Sequence, residues 1–450
     1  MSANDTWMQR DLAHVWHPCT QMKDHEWLPL VPIERGDGPW LYDFDGRRYL
    51  DAISSWWVNI FGHANAEIAE RIGEQARSLE HVIFAGATHP PVVELSERLS
   101  RIVPRGLTRC FYADIGSAAV EVALKMSFHY WRNAGRPEKR RFVTLGNGYH
   151  GETLGALGVG DVGLYKDTYR PLLNEAIVAP SPDAYLAEPG EGAAGFARRQ
   201  FAHMEKILAE RGHEIAGVIV EPLVQCAGGM RMHDPVYLSL LREACDRYGV
   251  HLIADEIAVG FGRTGTMFAC EQADVTPDFM CLSKGITGGF LPLAVVMTRE
   301  DIYAAFYDEY RHIERAFLHS HSYTGNPLAC AAALAVLDIF ERDDVIAGNR
   351  EKAALLAAEA GILRDHPHVG DVRQHGMTVA IEMVRKRPRE AYPWHERRGI
   401  RVYQYALEHE CWLRPLGNVV YWMPPYVVTP DEIRHLGRVT RDAIDCVTRD

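Results

Sequence analysis

Residues 277–289 read Pro277-Asp278-Phe279-Met280-Cys281-Leu282-Ser283-Lys284-Gly285-Ile286-Thr287-Gly288-Gly289, an apolar run that ends in a lysine and passes into glycine-rich chain. A short continuous apolar run bounded by turn residues predicts a buried strand, and in open α/β sheets ligands bind at the carboxyl ends of strands. A lysine there shifts its pKa readily on burial, which suits Schiff-base chemistry with a carbonyl cofactor. The alternative is a strand-end lysine whose ammonium snorkels to water. A second run, His251-Leu252-Ile253-Ala254-Asp255-Glu256-Ile257, predicts another buried strand that ends in a carboxylate. The two strand ends can face one pocket, although a structural salt bridge is the competing reading of Asp255.

Upstream the same logic repeats as strand, glycine turn and helix. Cys110-Phe111-Tyr112-Ala113 leads through Asp114-Ile115-Gly116-Ser117 into an apolar helix from Ala118 to Trp131. Gly116 and Ser117 thus open a helix, where free N–H groups and the positive dipole end suit a phosphate; Ser117 acting only as an N-cap is the other reading. Arg141-Phe142-Val143-Thr144-Leu145 then precedes Gly146-Asn147-Gly148-Tyr149-His150-Gly151, and Ala216 to Val220 ends at Glu221-Pro222. This alternation between residues 109 and 298 predicts an α/β fold with a mainly parallel sheet covered by helices on both faces. Residues 181–195 read as a surface loop, followed by a helix near 201–211.

At 450 residues the chain exceeds the size of one typical core, so a large domain with a smaller companion is expected. A net charge of −12 without a long basic block argues against nucleic acid as a partner. The N-terminus lacks a signal-peptide pattern and no apolar run reaches membrane-spanning length, so a cytoplasmic protein without a membrane partner is expected. Nine cysteines without a Cys-x-x-Cys pair fit reduced thiols. The histidines form no recognised ligand spacing, and no metal is expected.

Near the N-terminus, Trp40 to Asp51 predicts a hairpin turning at Asp45-Gly46. Ser54-Ser55-Trp56-Trp57 follows, its tryptophans serving either core packing or the wall of a ligand pocket. Phe317 to Asn326, then Pro327 and an alanine-rich helix over 328–340, mark the crossing to a C-terminal part. The expected boundaries are 1–55 and 331–450 for the smaller domain and 56–330 for the larger.

The run Asp255-Glu256-x-x-x-Gly260-Phe261-Gly262-Arg263-Thr264-Gly265 together with Ser283-Lys284-Gly285-x-Thr287-Gly288-Gly289 resembles the class III pyridoxal-phosphate aminotransferases. Trp16-His17-Pro18-x-Thr20, Ser54 to Trp57, Gly228 to Met232 and Leu413-Arg414-Pro415-Leu416-Gly417 resemble, within that class, the branch that makes 7,8-diaminopelargonate for biotin. The resemblance implies a fold-type-I enzyme whose smaller α+β domain is drawn from both termini. It implies pyridoxal 5'-phosphate as cofactor, with Lys284 as tether and proton shuttle and Asp255 keeping the pyridine nitrogen protonated. Tyr149 would lie against ring and substrate, and Gly116 and Ser117 would hold the phosphate. His321 and Ser322 would complete a neighbour's phosphate site in a homodimer with shared active sites, while Ser320 meets substrate. Trp56 and Trp57 would wall the substrate site, and Arg414 would receive a keto-acid carboxylate.

The implied acceptor is 8-amino-7-oxononanoate. For the donor, the paired tryptophans favour S-adenosylmethionine, whose sulfonium gains roughly 0.5–2 kcal/mol over an aromatic face. Lysine is the alternative, favoured by Cys19 in place of a usual tyrosine and by the lysine-user character of residues 284–291 and 319–326. An ω-amino-acid or diamine aminotransferase is the wider alternative. Ile115, where a serine is usual, and Cys226, in place of a frequent glycine, are further departures.

Overall fold

Strands buried on both faces require uninterrupted apolar runs, and Ile215–Val220, His251–Asp255 and Phe279–Leu282 are each buried at every residue. In the computed structural model, which describes residues 2–449, these belong to one seven-stranded sheet. We number its strands β1 (Leu107–Ala113), β2 (Arg141–Leu145), β3 (Ile177–Ala179), β4 (Ile215–Val220), β5 (His251–Asp255), β6 (Phe279–Leu282) and β7 (Ala294–Arg299). Their order is β1-β7-β6-β5-β4-β2-β3. Neighbours pair in parallel except β7, which is antiparallel to both β6 and β1. The exception has a local cause: Gly288 and Gly289, at φ +62° and +87°, turn the chain back directly, whereas a parallel return needs a long crossover. The remaining strands therefore all deliver their carboxyl ends to one edge.

The helix Gly116–Asn133 lies on this sheet through a face of Ala118, Ala119, Val120, Val122 and Ala123. Such small side chains let a helix approach closely. The helix Pro327–Asp343 is buried almost all round, from Ala329 to Leu337. Asn326 caps it by accepting from the backbone N–H groups of Leu328 and Ala329, with Pro327 in the first turn.

The chain forms two compact units, one of residues 67–350 and 373–378, the other of residues 1–66, 351–372 and 379–450. The smaller unit thus draws on both termini. Its boundaries fall at 66 and 350 rather than 55 and 330. The alanine-rich helix stays with the larger unit because its apolar surface has no solvent face: a Cβ on Gly288 would lie 3.2 Å from Val336. Residues 56–66 stay with the smaller unit through bonds such as Trp57 Nε1 to the Tyr421 hydroxyl, 3.0 Å.

In the smaller unit Trp40–Asp43 and Arg48–Asp51 form the expected hairpin. The Asp43 carboxylate accepts from the N–H groups of Asp45 and Arg47, and Gly46 takes φ +84°. Ile33–Asp37 and Cys411–Trp412 extend this sheet on either side. A second sheet pairs Thr378–Lys386 with Val419–Trp422, and the helix Pro430–Val447 opens on a Thr429/Glu432 capping box. Trp422 is fully buried and donates its indole N–H to Thr440. Among the described residues no helix is long and apolar enough to cross a membrane. The helix expected near 201–211 begins earlier, as Ala193–Arg211.

Candidate active site

Five chain segments deliver polar side chains to the carboxyl edge of the large sheet: residues 116–117 after β1, 149–150 after β2, 221 after β4, 255 at the end of β5 and 284 after β6. Lys284 opens a short 3₁₀ turn, Lys284–Thr287, at φ +50°. Ser283 pins the strand end by donating its hydroxyl to the Leu293 carbonyl, 2.7 Å. Burial pushes the Lys284 ammonium below its usual pKa, against the opposing pull of Asp255, Cys226 and Glu221. Lys284 is partly buried, and the lowered pKa biases the amine toward the neutral form that attacks a carbonyl.

Asp255 is 4% exposed. One of its oxygens accepts from His150 Nδ1 at 2.8 Å and the other from the backbone N–H of Ile257 at 3.1 Å. These two donors fix the direction of the carboxylate in a buried site. A carboxylate held in one direction is what a protonated ring nitrogen requires opposite it.

Glu221 and His150 carried no role in the sequence reading. Glu221 is buried, and its two oxygens accept from the N–H groups of Tyr149 and Cys226, each at 2.9 Å. Burial pushes its carboxyl up to about 7; His150 pulls it down and the Asp255 charge pushes it further up. Cys226 is buried beside it, its thiol raised by burial and by Glu221 and therefore unreactive. Tyr149 itself is half-buried, donates its hydroxyl to Glu152 at 2.9 Å and meets Tyr165 edge-on.

The loop after β2 also touches the helix N-terminus, since a Cβ on Gly151, at φ +117°, would collide with Ser117. Gly116 packs likewise against Ile257, with only 3.1 Å left for a Cβ. These two close approaches gather the helix start, the Tyr149 loop and the Asp255 turn. Ser117 is not the N-cap; that position is Ile115, which gives no side-chain cap. The first-turn N–H groups of Gly116, Ser117 and Ala118 thus have neither a cap nor an intrahelical acceptor. An amine tether, a buried carboxylate and a row of N–H donors are the donor set that a phosphorylated pyridine aldehyde requires, so the residues fit pyridoxal phosphate.

In the same unit Lys125 donates to His319 at 2.8 Å, and His319 meets His321 at 3.1 Å. His321 Nδ1 stands 3.8 Å from Asp114, while Ser320 and Ser322 are exposed. Among the described residues no cluster could hold a metal ion.

The remaining expected residues lie in the smaller unit. Trp57 is core, 3% exposed and bonded to Tyr421, whereas Trp56 presents 38% of its surface. Arg414 stacks its guanidinium 5.3 Å from the Trp56 ring centre and donates to the Cys19 carbonyl at 3.4 Å. Cys19 meets Arg414 through its backbone, at φ +49°. Ser54, Ser55, Trp56 and Trp57 run at φ +52°, +46°, +72° and +74°, a turn of left-handed helix built without glycine. At about 1–2 kcal/mol per residue this conformation costs roughly 4–8 kcal/mol.

Comparison with known proteins agrees with this chemistry. Residues 21–444 match the model of the family described as Aminotransferase class-III. The chain is 46% identical over 440 residues, 97% of each protein, to the adenosylmethionine-8-amino-7-oxononanoate aminotransferase of Geobacter sulfurreducens. It is 45% identical to the Helicobacter pylori enzyme of the same name, over 94% of each. The crystal structure of the namesake from Methanocaldococcus jannaschii superposes with a TM-score of 0.92 at 37% identity, covering 98% of this chain and 99% of that one. An ω-transaminase from Pseudomonas jessenii, solved in complex with PMP, gives 0.93 at 29% identity, covering 98% of each. The chain belongs to the class-III aminotransferase family and is a pyridoxal-phosphate-dependent enzyme.

Proposed function

We propose that the enzyme moves an amino group from S-adenosylmethionine to 8-amino-7-oxononanoate, giving 7,8-diaminopelargonate for biotin. The observation that carries this reading is the 46% identity to an enzyme of that name across 97% of both chains. The ω-transaminase fits the fold equally well, but at 29% identity it shares less of the sequence.

Pyridoxal phosphate supplies the carbonyl that takes up the amino group and the ring that draws electrons from the reacting carbon. Lys284 tethers it at rest. Its amine, once free, takes a proton from the donor carbon that bears nitrogen and, in the second half of the cycle, returns one to the acceptor carbon. Asp255, held by His150, would hold the protonated ring nitrogen; Tyr149 would cover ring and substrate; the N–H groups at Gly116 and Ser117 would take the phosphate. Trp56 takes the sulfonium and Arg414 the carboxylate of the keto acid. Purified holoenzyme with 8-amino-7-oxononanoate should form the diamine with S-adenosylmethionine and not with lysine. Formation with lysine alone would reassign the donor, and no diamine with either would overturn the substrate.

The working unit is a homodimer in which Ser320, His321 and Ser322 serve the neighbouring site. The exposure of both serines supports this. Heterodimers pairing a Lys284→Ala chain with a chain disabled at Ser322 should regain one working site; verified heterodimers without activity contradict the sharing. Free thiols at all nine cysteines fit work in the reducing cytoplasm, and recovery of the activity with membranes on fractionation would contradict that placement.

A further inference from the structure

The left-handed turn at residues 54–57 is fixed at its ends by the core of the smaller unit. Ser54 donates its hydroxyl to the Met423 carbonyl at 2.7 Å, and Trp57 is buried against Tyr421. Its middle, Ser55 and Trp56, is exposed, and apart from the Arg414 guanidinium over the Trp56 ring it has no such packing. What reaches the middle is Asp51, which is fully buried. Its carboxylate accepts the Ser55 hydroxyl at 2.7 Å, the Ser55 N–H at 3.0 Å, the Ile53 N–H at 3.3 Å and His63 Nε2 at 2.9 Å. His63 is held in turn through its other ring nitrogen by the Asn59 amide at 3.2 Å.

Strain of this kind persists only where surrounding structure over-determines it, and it concentrates where geometry is used. Glycine at position 55 would adopt the conformation freely. The chain instead carries a serine, whose hydroxyl is bonded to the buried carboxylate, so the segment is built for a fixed direction of the Trp56 ring.

We propose that Asp51 is a positioning residue for the amino donor: oriented by His63, it clamps Ser55 and so holds the left-handed turn that sets the Trp56 ring. The proposal rests on the reading of Trp56 as the wall for the donor's cation. It concerns a residue that touches neither substrate nor cofactor, so its test reads the ring as well as the kinetics.

The holoenzyme and its Asp51→Asn variant are each compared with their Trp56→Phe counterparts by near-ultraviolet circular dichroism, which isolates the Trp56 signal before any donor is added. Asp51→Asn should weaken that signal and raise the KM for S-adenosylmethionine roughly tenfold, leaving kcat and the keto-acid KM within about twofold. Adding Ser55→Gly to Asp51→Asn should restore most of both, because glycine takes positive φ without the clamp. Loss of stability alone would show neither the split in KM nor the glycine rescue. An unchanged Trp56 signal in Asp51→Asn overturns the proposal, as do KM values that rise together and are not rescued. A signal lost and rescued at constant donor KM overturns the donor half and the reading of Trp56 beneath it. Should Asp51→Asn fail to fold, Ser55→Ala, which removes only the hydroxyl, should move the signal and the donor KM in the same direction; no movement in either overturns the clamp.

Discussion

Burial pushes the Glu221 carboxyl up from its ordinary 4.5 to about 7. Between those values the folded protein keeps a proton that the unfolded chain has lost. The group's stabilising contribution is therefore complete below about pH 4.5 and is lost as pH rises through 7. The stability of the wild type relative to Glu221→Gln should fall by about 2–3 kcal/mol between pH 5 and pH 8. Urea unfolding of both proteins at the two pH values measures it, and a gap independent of pH would contradict the assignment. Lys284 and Asp255 were legible in sequence because each is a polar residue ending an apolar run. Glu221 ends such a run too, but its role comes from N–H groups of Tyr149 and Cys226, and the first of these is 72 residues away. His150 was hidden for the same reason, since its bond to Asp255 spans 105 residues. A shifted pKa would not have sufficed either. Lys139 is also lowered by burial, to about 8, yet its amine is committed to the carbonyls of Gly212 and Ile215.

Elements declared themselves where pattern and propensity agree. The buried strands, the Asp45-Gly46 hairpin and the helix opened by Gly116 each combine an apolar run with a residue suited to its turn. The left-handed turn at residues 54–57 was not legible, because left-handed backbone is normally signalled by glycine and here none is present. What stabilises it comes from Asp51 on one side in sequence and from Met423 and Tyr421 far along the chain on the other. The antiparallel β7 was half visible: Gly288-Gly289 announced a turn, but only pairing with both β6 and β1 fixes its direction. Ser117 illustrates how far position by a turn can mislead, since the cap falls two residues earlier, at Ile115.

For the whole molecule, length foretold a large unit with a smaller companion, and the family resemblance implied that the companion is drawn from both termini. The boundaries were less legible because composition shifts do not coincide with packing: the alanine-rich helix after Pro327 looks like the start of a new part and yet is buried in the larger unit. The larger unit gathers the groups suited to the cofactor, and the smaller holds Trp56, Arg414 and Asp51. The central claim is that Lys284 is the one lysine committed to the cofactor. Borohydride reduction of the holoenzyme followed by peptide mass mapping tests it most directly. The expected result is a phosphopyridoxyl group on Lys284, none on the buried Lys139 or Lys166, and neither modification nor turnover in Lys284→Ala. A group found on another lysine, or turnover retained by Lys284→Ala, would contradict it.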